Sequence, residues 1–319
     1  MIIQKDLEGN IIAQYKNKSE AARILGLNES SIRRAVTQNR TVHGKFKFVK
    51  VNDISEVSIN KSKAKILFLD IETAPIRAYT WGLWQQNIYL DQIISNWFMI
   101  SWSAKWLGEQ DTMSDVLTPD EIINEDDERL MQNLWTILDE AQIVVAHNGK
   151  GFDIPKITTR FLVHNMPPPS PYRQIDTKEV SKNTLNLPSN KLEALARLFG
   201  FEGKYDTDFE LWADCMKGDV TALLRMEEYN NQDVRVLEKV YIKLRPYMKN
   251  HPNLDLFDDK EVITCPHCGS ESIELKENKY FYTQSVKYQL YTCKDCGAHS
   301  RGKKGIVFMN KKQISAIPR

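Results

Sequence analysis

The 319-residue chain lacks long apolar runs, has only five cysteines and carries almost no net charge. Because no stretch of 18 uncharged apolar residues exists, we expect no transmembrane helix and no membrane partner. The first ten residues lack the charged-then-apolar pattern of a secretory signal, so we expect a cytoplasmic protein. A hydrophobic content of 42% and a charged content of 27% exclude wholesale disorder.

The net charge of +1 is the sum of three segments of different charge. Polar stretches without an apolar period separate these segments. Residues 1–65 carry net +7, residues 66–250 carry −9 and residues 251–319 carry +3. An acidic middle between basic ends indicates separate modules, so the small total does not exclude a nucleic-acid partner.

Two carboxylates follow an apolar strand in the acidic segment. Residues 66–69 lack polar alternation, which predicts a strand buried on both faces of an α/β sheet. Asp70 and Glu72 are two residues apart, so their side chains point to one face of that strand. Such a pair resists desolvation unless a cation lies between the two groups. A strand that simply emerges into solvent is the alternative.

Two later segments each supply another carboxylate. Asp153 follows a short strand and a turn and lies near the start of a predicted helix, where it could merely complement the helix dipole. Residues 219–248 predict a long helix with an apolar face. Tyr229 and Asp233 are four residues apart and therefore neighbours on that helix. The alternative is a core tyrosine beside a surface aspartate.

These segments resemble the three exonuclease motifs of the DEDD superfamily. The motifs are D-x-E on a strand, N-x-x-x-F-D on a strand-to-helix turn and Y-x-x-x-D on a later helix. The tyrosine is typical of the DEDDy branch, and residues 65–248 are similar to the 3′→5′ proofreading domains of family B DNA polymerases. The resemblance implies an α/β fold of the ribonuclease-H type, with a mixed sheet flanked by helices.

The resemblance also implies a site and an activity. Asp70, Glu72, Asp153 and Asp233 would hold two Mg²⁺ or Mn²⁺ ions, for which hard oxygen ligands are suited, and Tyr229 would orient the attacking water. We expect a 3′→5′ exonuclease that releases nucleoside 5′-monophosphates from DNA rather than RNA. An exoribonuclease or a structure-specific endonuclease on the same fold stays open, as does a DNA-binding regulator with an inactive nuclease-like domain.

Four other residues are candidate substrate contacts. Asn148 and Lys150 belong to the second motif, where they could touch the substrate or could be plain turn residues. Trp81 and Trp84 follow the first motif, and tryptophan rings can stack on unpaired bases. Core packing is the alternative for the tryptophans of this region.

Four of the five cysteines form two C-x-x-C pairs, each followed by glycine. This spacing predicts a structural Zn²⁺ in a β-rich zinc ribbon. The expected ligands are Cys265, Cys268, Cys293 and Cys296. Two disulfides are the alternative, which the missing secretory signal disfavours. The fifth cysteine, Cys215, is expected to be a buried, inert thiol. Residues 276–293 interleave lysines with aromatic residues, which could bind a single nucleic-acid strand or form the core of a small ribbon.

The basic N-terminal segment predicts a helix-turn-helix over residues 17–36, with Gly26 ending the first helix. Residues 2–51 resemble the modular DNA-binding domain attached to homing endonucleases of phages and mobile elements, which implies a bacterial or phage-infected cell. The candidate DNA contacts are Arg33, Arg34 and Arg40, with solvated surface charge as the alternative. The expected domains are residues 1–52 (DNA-binding module), 53–64 (linker), 65–250 (exonuclease) and 251–319 (zinc ribbon).

Deleting residues 1–52 should weaken binding to duplex DNA more than it slows hydrolysis of a short single strand. The reason is that long-range capture of a polyanion depends on the most basic segment of the chain. Titration of labelled duplex DNA, beside a hydrolysis assay on a short oligonucleotide, compares the two losses. Equal losses in both assays would contradict a separate DNA-binding role.

Overall fold

The computed structural model describes residues 2–5, 11–15, 18–27, 32, 47–50, 64–201, 208–257 and 262–306. The chain forms two compact units, Met1–Ser58 and Ile59–Arg319. No helix among the described residues is both long enough and apolar enough to cross a bilayer.

The first unit contains a three-stranded antiparallel sheet and a helix. Its elements are β1 (Ile2–Lys5), β2 (Ile11–Tyr15), α1 (Lys18–Leu25) and β3 (Lys47–Lys50). The strand order is β2–β1–β3. Ala21, Ala22 and Ile32 form a small core with Tyr15, whose hydroxyl donates to Gln4 at 2.7 Å.

Gly26 has a φ of +63°, the left-handed conformation that glycine adopts readily after a helix. The predicted second helix of the helix-turn-helix lies outside the described residues, apart from Ile32. Arg33, Arg34 and Arg40 also lie outside them. The helix-turn-helix and its arginine contacts therefore stay predictions.

The second unit is built on a five-stranded mixed sheet. Its first strands are β4 (Ile66–Thr73), β5 (Arg77–Ala78), β6 (Ile93–Ser95), β7 (Met99–Trp106), β8 (Met113–Val116), β9 (Ile143–Ala146) and β10 (Arg173–Asp176). The order in the main sheet is β10–β9–β4–β7–β8, and β5 and β6 pair separately. Strand β4 is parallel to β9 and antiparallel to β7, so the expected mixed sheet is confirmed.

Seven helices accompany this sheet among the described residues. They are α2 (Pro119–Asn124), α3 (Glu128–Glu140), α4 (Asp153–Val163), α5 (Thr177–Thr184), α6 (Leu192–Phe199), α7 (Phe209–Cys215) and α8 (Val220–Leu244). Helix α8 begins after Asp219, which caps the backbone N–H of Ala222 at 2.8 Å. It ends at Leu244, short of the predicted residue 248, because Pro246 follows and a short 3₁₀ turn covers Arg245–Tyr247.

Strand β4 separates two apolar clusters by the alternation of its side chains. Ile66 and Phe68 pack with the second half of α8, at Val234 and Leu237. Leu67 and Leu69 belong to the other cluster, which includes apolar residues of α3. Because side chains two apart share a face, Asp70 and Glu72 lie on the same face of β4 as Phe68, toward α8.

The C-terminal part is a three-stranded antiparallel ribbon that packs on the region of the five-stranded sheet. Its strands are β11 (Ile273–Tyr282), β12 (Lys287–Cys293) and β13 (His299–Gly305). His251 contacts the Tyr241 hydroxyl of α8 at 2.7 Å, and the rings of His251 and His267 stack with centroids 5.4 Å apart. The ribbon and helix α8 are thus in packing contact.

Candidate active site

Three carboxylates meet where α8 crosses β4. Asp70 and Glu72 project from β4, and Asp233 projects from α8 one residue before the core residue Val234. One oxygen from each of the three carboxylates lies within 4.8 Å of those from the other two. Such a group of negative charges suits a hard divalent cation.

Helix α8 reaches this position through a buried polar seam with the sheet. Ser103 of β7 donates to Asn231 at 2.7 Å, and Asn231 donates to Ser114 of β8 at 3.1 Å. Farther along, Lys105 of β7 forms an ion pair with Glu238 at 2.6 Å. Because buried polar groups must find specific partners, this seam fixes the rotation of α8 and hence the position of Asp233.

Asn230 is a site residue that motif reasoning did not identify. Its side-chain amide, with the nitrogen toward β4, donates to the Asp70 carboxylate and to the Asp70 carbonyl, both at 3.2 Å. In the same orientation its oxygen accepts from Ser101 at 3.1 Å. The sequence contained one signal that could have identified Asn230. It lies next to Tyr229 and three residues before Asp233, which places it on the face of α8 that is turned to the sheet.

Asp153 lies at the first residue of α4 and is only 2% exposed. Burial raises its pKa to about 7, although the backbone N–H groups of Asp153 and Ile71 oppose that rise and the charge of Asp176 adds to it. The contact with Ile71 places Asp153 beside β4, between Asp70 and Glu72. The structure nevertheless leaves it outside the 4.8 Å group formed by the described acidic residues.

The Oδ1 atom of Asp153 has no hydrogen-bond partner among the described residues. A buried carboxylate oxygen without a partner is costly, and a cation is the partner that removes that cost. This oxygen and the three grouped carboxylates together fit the hard donor set that Mg²⁺ or Mn²⁺ prefers.

The turn of the second motif is held by Asp176 at the end of β10. The Asp176 carboxylate accepts from the backbone N–H of Asn148 at 3.0 Å and of Lys150 at 3.3 Å. Asn148 has a φ of +74°, and an added Cβ at Gly149 would lie 2.5 Å from the Ala146 Cβ. The turn is therefore tight and requires glycine at this position.

The side chains of this turn have protein partners. Lys150 pairs with Glu179, and the Asn148 side-chain oxygen accepts from Lys178 at 3.3 Å. His147 bridges Thr177 and the carbonyl of Asn190, each at 2.9 Å. Substrate contact by Asn148 and Lys150 stays a prediction.

A groove of about 560 Å³ begins at Thr73, directly after Glu72. Trp97 and Trp212 line it, and Trp212 packs edge-to-face on Tyr229 with ring centroids 6.2 Å apart. The Lys156 ammonium lies 3.9 Å from the centroid of Trp97 and donates to Thr73 at 3.0 Å. Partial burial lowers the pKa of Lys156. The groove thus combines aromatic walls with a cation, next to the acidic group.

The tryptophans near the first motif differ in their exposure to solvent. Trp102 is buried and donates to the Leu130 carbonyl at 3.1 Å, as core packing requires. Trp81 and Trp84 lie in the segment between β5 and β6 and are 97% and 84% exposed. These two rings are available to a ligand, and base stacking by them stays a prediction.

The four ribbon cysteines come together at the end of the sheet. Their sulfur atoms lie within 4.8 Å of one another, with 3.7 Å between Cys265 and Cys296 and 3.6 Å between Cys268 and Cys293. These separations are too long for disulfides and are close to the edge of about 3.8 Å that a tetrahedron with Zn–S bonds of about 2.3 Å would have. Cys215 lies apart and buried, and burial raises its pKa to about 12, which makes it a poor nucleophile.

Comparison with known proteins centres on the same region. A family model described as RNase_H_2, RNase_H superfamily, matches residues 67–245. Among solved structures the chain is similar to the family B DNA polymerase from the hyperthermophilic archaeon Pyrobaculum calidifontis, with 14% sequence identity and a TM-score of 0.45. The alignment covers 72% of this chain and 33% of the polymerase, so the chain spans about a third of that protein's length. No curated protein matches the chain.

Replacing Asp153 by Asn should raise the thermal stability of the protein in buffer without divalent ions at pH 8. The folded-state pKa of Asp153 lies above its unfolded value, so its contribution to stability is present below about pH 4 and is lost as the pH rises toward 7. The gain in melting temperature should therefore be near zero at pH 4 and largest above pH 7. Thermal unfolding at several pH values measures it.

The matched control is Asp111→Asn, which removes an exposed carboxylate and should change the melting temperature little at any pH. A stability gain that is independent of pH would contradict the assignment to Asp153 ionisation.

Proposed function

This chain belongs to the RNase_H superfamily, and we propose that it is a metal-dependent 3′→5′ exonuclease that acts on DNA. The family match includes every residue of the candidate active site, from Asp70 to Asp233. The expected ribonuclease-H-like fold is thereby confirmed. One observation carries the proposal: Asp70, Glu72 and Asp233 meet within 4.8 Å, with Tyr229 one turn away on the same helix.

Four carboxylates are suited to hold two divalent ions. Asp70, Glu72 and Asp233 supply the grouped oxygens, and Asp153 supplies a buried oxygen that has no hydrogen-bond partner within the described part of the chain. When bound, Mg²⁺ or Mn²⁺ neutralises charge on the attacking and leaving oxygens of a phosphodiester. The carboxylates are thus ligands, and their close approach without a cation is unfavourable.

Other side chains of this chain position the reacting groups. Tyr229 orients the attacking water, and its packing on Trp212 holds the ring in one direction. With its amide nitrogen toward β4, Asn230 donates to the Asp70 carboxylate at 3.2 Å, and this bond orients the carboxylate. Residues that orient ligands in this way lower the reorganisation that the reaction requires.

The groove next to the acidic group accepts the terminal nucleoside. Trp97 and Phe209 offer apolar walls, and Lys156 places a positive charge between them and Thr73. A nucleotide presents a flat base and a negative phosphate, which match these two features. Hydrolysis beside this groove releases a nucleoside 5′-monophosphate.

The choice of a 3′ end and of DNA rests on the resemblance of the three motifs to proofreading exonucleases. An exoribonuclease or an endonuclease would use the same carboxylates, so substrate and polarity need a direct assay.

Incubation with end-labelled DNA and RNA oligonucleotides tests the proposal. We expect nucleotide-by-nucleotide loss from the 3′ end of DNA in the presence of Mg²⁺ or Mn²⁺, and none without added divalent ions. Electrophoresis of 5′-labelled strands reads out polarity as a descending ladder. Internal cuts or faster degradation of RNA would overturn the proposed activity in favour of an endonuclease or an exoribonuclease.

Variants of the site make the assay specific. Asp70→Ala should lower the rate by about a thousandfold or more, because loss of a metal ligand removes several kcal/mol of transition-state stabilisation. Tyr229→Phe should lower it less, since the metal ligands remain. Asp111→Ala, which removes an exposed carboxylate elsewhere, should leave the rate unchanged. Full activity of Asp70→Ala would exclude this site.

We also propose that the four ribbon cysteines hold one structural Zn²⁺. Their sulfur separations and the small apolar core of the ribbon support this proposal, because a region with little core depends on a metal for its folding energy.

Elemental analysis of protein purified without chelators should find one zinc per chain. Cys268→Ser should remove the zinc and lower the melting temperature, because three ligands remain for a four-coordinate ion. Cys215→Ala, which changes a buried cysteine outside the group, should keep the zinc. Zinc-free protein with an unchanged melting temperature would contradict a structural metal.

A further inference from the structure

The ribbon carries aromatic residues that do not form its core. Its buried apolar residues are cysteines and Ala298, with Ile273 packed against them at the end of the sheet where the cysteines meet. At the other end, which we call the hairpin end and define as residues 279–289 and 301–305, no aromatic side chain is buried. Tyr282 is 65% exposed and Phe281 is 39% exposed. Tyr280 and Tyr288 are half-buried, so the rings that stand most clear of any core are those of Phe281 and Tyr282.

The strand register arranges these rings on the two faces of the hairpin end. Tyr282 pairs with Lys287, and Phe281 pairs with Tyr288. Tyr280 and Tyr282 share a face, with ring centroids 6.5 Å apart. On that face the Lys287 ammonium lies 3.4 Å from the centroid of the Tyr280 ring. The Tyr282 side chain on the same face is 65% exposed to solvent. Each face thus offers an aromatic surface beside a cation.

Charge is distributed unevenly along the ribbon. Glu277 lies in the middle of β11, in the irregular stretch between Leu275 and Tyr280. The other described acidic residues lie toward the cysteine end: Glu271, Glu274 and Asp295. The Glu274 carboxylate lies 3.8 Å from the Lys294 ammonium, so part of this charge is already paired.

The hairpin end contains no acidic residue. Its cations are Lys279, Lys287, Arg301, Lys303 and Lys304. Arg301 lies over the Tyr288 ring, 4.3 Å from its centroid. Of the described residues outside the ribbon, Asp255 places its carboxylate 3.8 Å from the Lys303 ammonium, which is 85% exposed. The hairpin end is therefore a basic surface with exposed aromatic rings.

We propose that the hairpin end of the ribbon binds single-stranded nucleic acid. Phosphates match the cations of the hairpin end, which contains no acidic residue of its own, and unpaired bases match the exposed ring of Tyr282. An acidic protein would use the cations but has no equivalent demand for flat aromatic surfaces. The binding of a single strand at the hairpin end does not depend on the proposed function. Only the further step, that the bound strand is also the substrate of the nuclease, rests on that function.

Binding is measured by fluorescence anisotropy with the full-length chain carrying Asp70→Asn, so that the probe stays intact. The probes are a 20-nucleotide oligothymidylate and an abasic strand of equal length, which keeps the phosphates and lacks the bases. Tyr282→Ala should weaken oligothymidylate binding about tenfold and leave binding of the abasic strand unchanged. Tyr282→Phe should restore the parent affinity, because it retains the ring.

Arg301→Ala should weaken the binding of both strands and lower the slope of log affinity against log salt concentration by about one. Lys294→Ala is the matched control, since it removes a similarly exposed charge from the cysteine end, and it should bind both strands like the parent. Parent-like binding by Tyr282→Ala and Arg301→Ala would overturn the proposal. The result is independent of catalysis, so a protein without nuclease activity would still confirm or overturn it.

Discussion

Burial of negative charge between β4 and α8 is the constraint on which the rest of the structure depends. Three carboxylates meet within 4.8 Å, and a fourth, Asp153, is buried so completely that its pKa rises to about 7. In the absence of cations this arrangement opposes folding, because each carboxylate loses water and repels its neighbours. The surrounding structure must therefore be stable enough to hold the group together before a metal binds.

That stability comes from both apolar and polar contacts along α8. Its second half packs Val234 and Leu237 against β4, while Asn231 and Glu238 bond to polar residues of β7 and β8. Apolar packing alone would allow a helix to rotate or slide by small amounts. Hydrogen bonds to fixed partners restrict this movement of the helix. Such restriction is required because the side chains of an active site must keep their positions to within less than about 1 Å.

The same helix also connects the site to the ribbon. Phe68, two residues before Asp70, packs edge-to-face on Tyr241 with centroids 5.3 Å apart. The Tyr241 hydroxyl contacts His251, whose ring stacks on His267 between the first two ribbon cysteines. Packing is therefore continuous from β4 to the cysteine end of the ribbon. A strand bound at both the active site and the hairpin end would gain affinity without new contacts at either.

Sequence alone determined which residues are candidates for the site. The spacing of Asp70 and Glu72 predicted a shared strand face and that of Tyr229 and Asp233 a shared helix face, because periodicities of two and 3.6 residues are properties of the local backbone. Their proposed role as a metal site came from the resemblance of the three motifs. The two C-x-x-C pairs predicted the sulfur group, because this spacing is typical of the ligands of a structural zinc ion.

Only the tertiary structure decided what depends on contacts between distant segments. These contacts include the bond from Asn230 to Asp70, the groove lined by Lys156 and Trp97, and the exposure of the Tyr282 ring. No local pattern encodes such features, since they require strands and helices far apart in sequence to pack at one place. The partners of Asn148 and Lys150 belong to the same class.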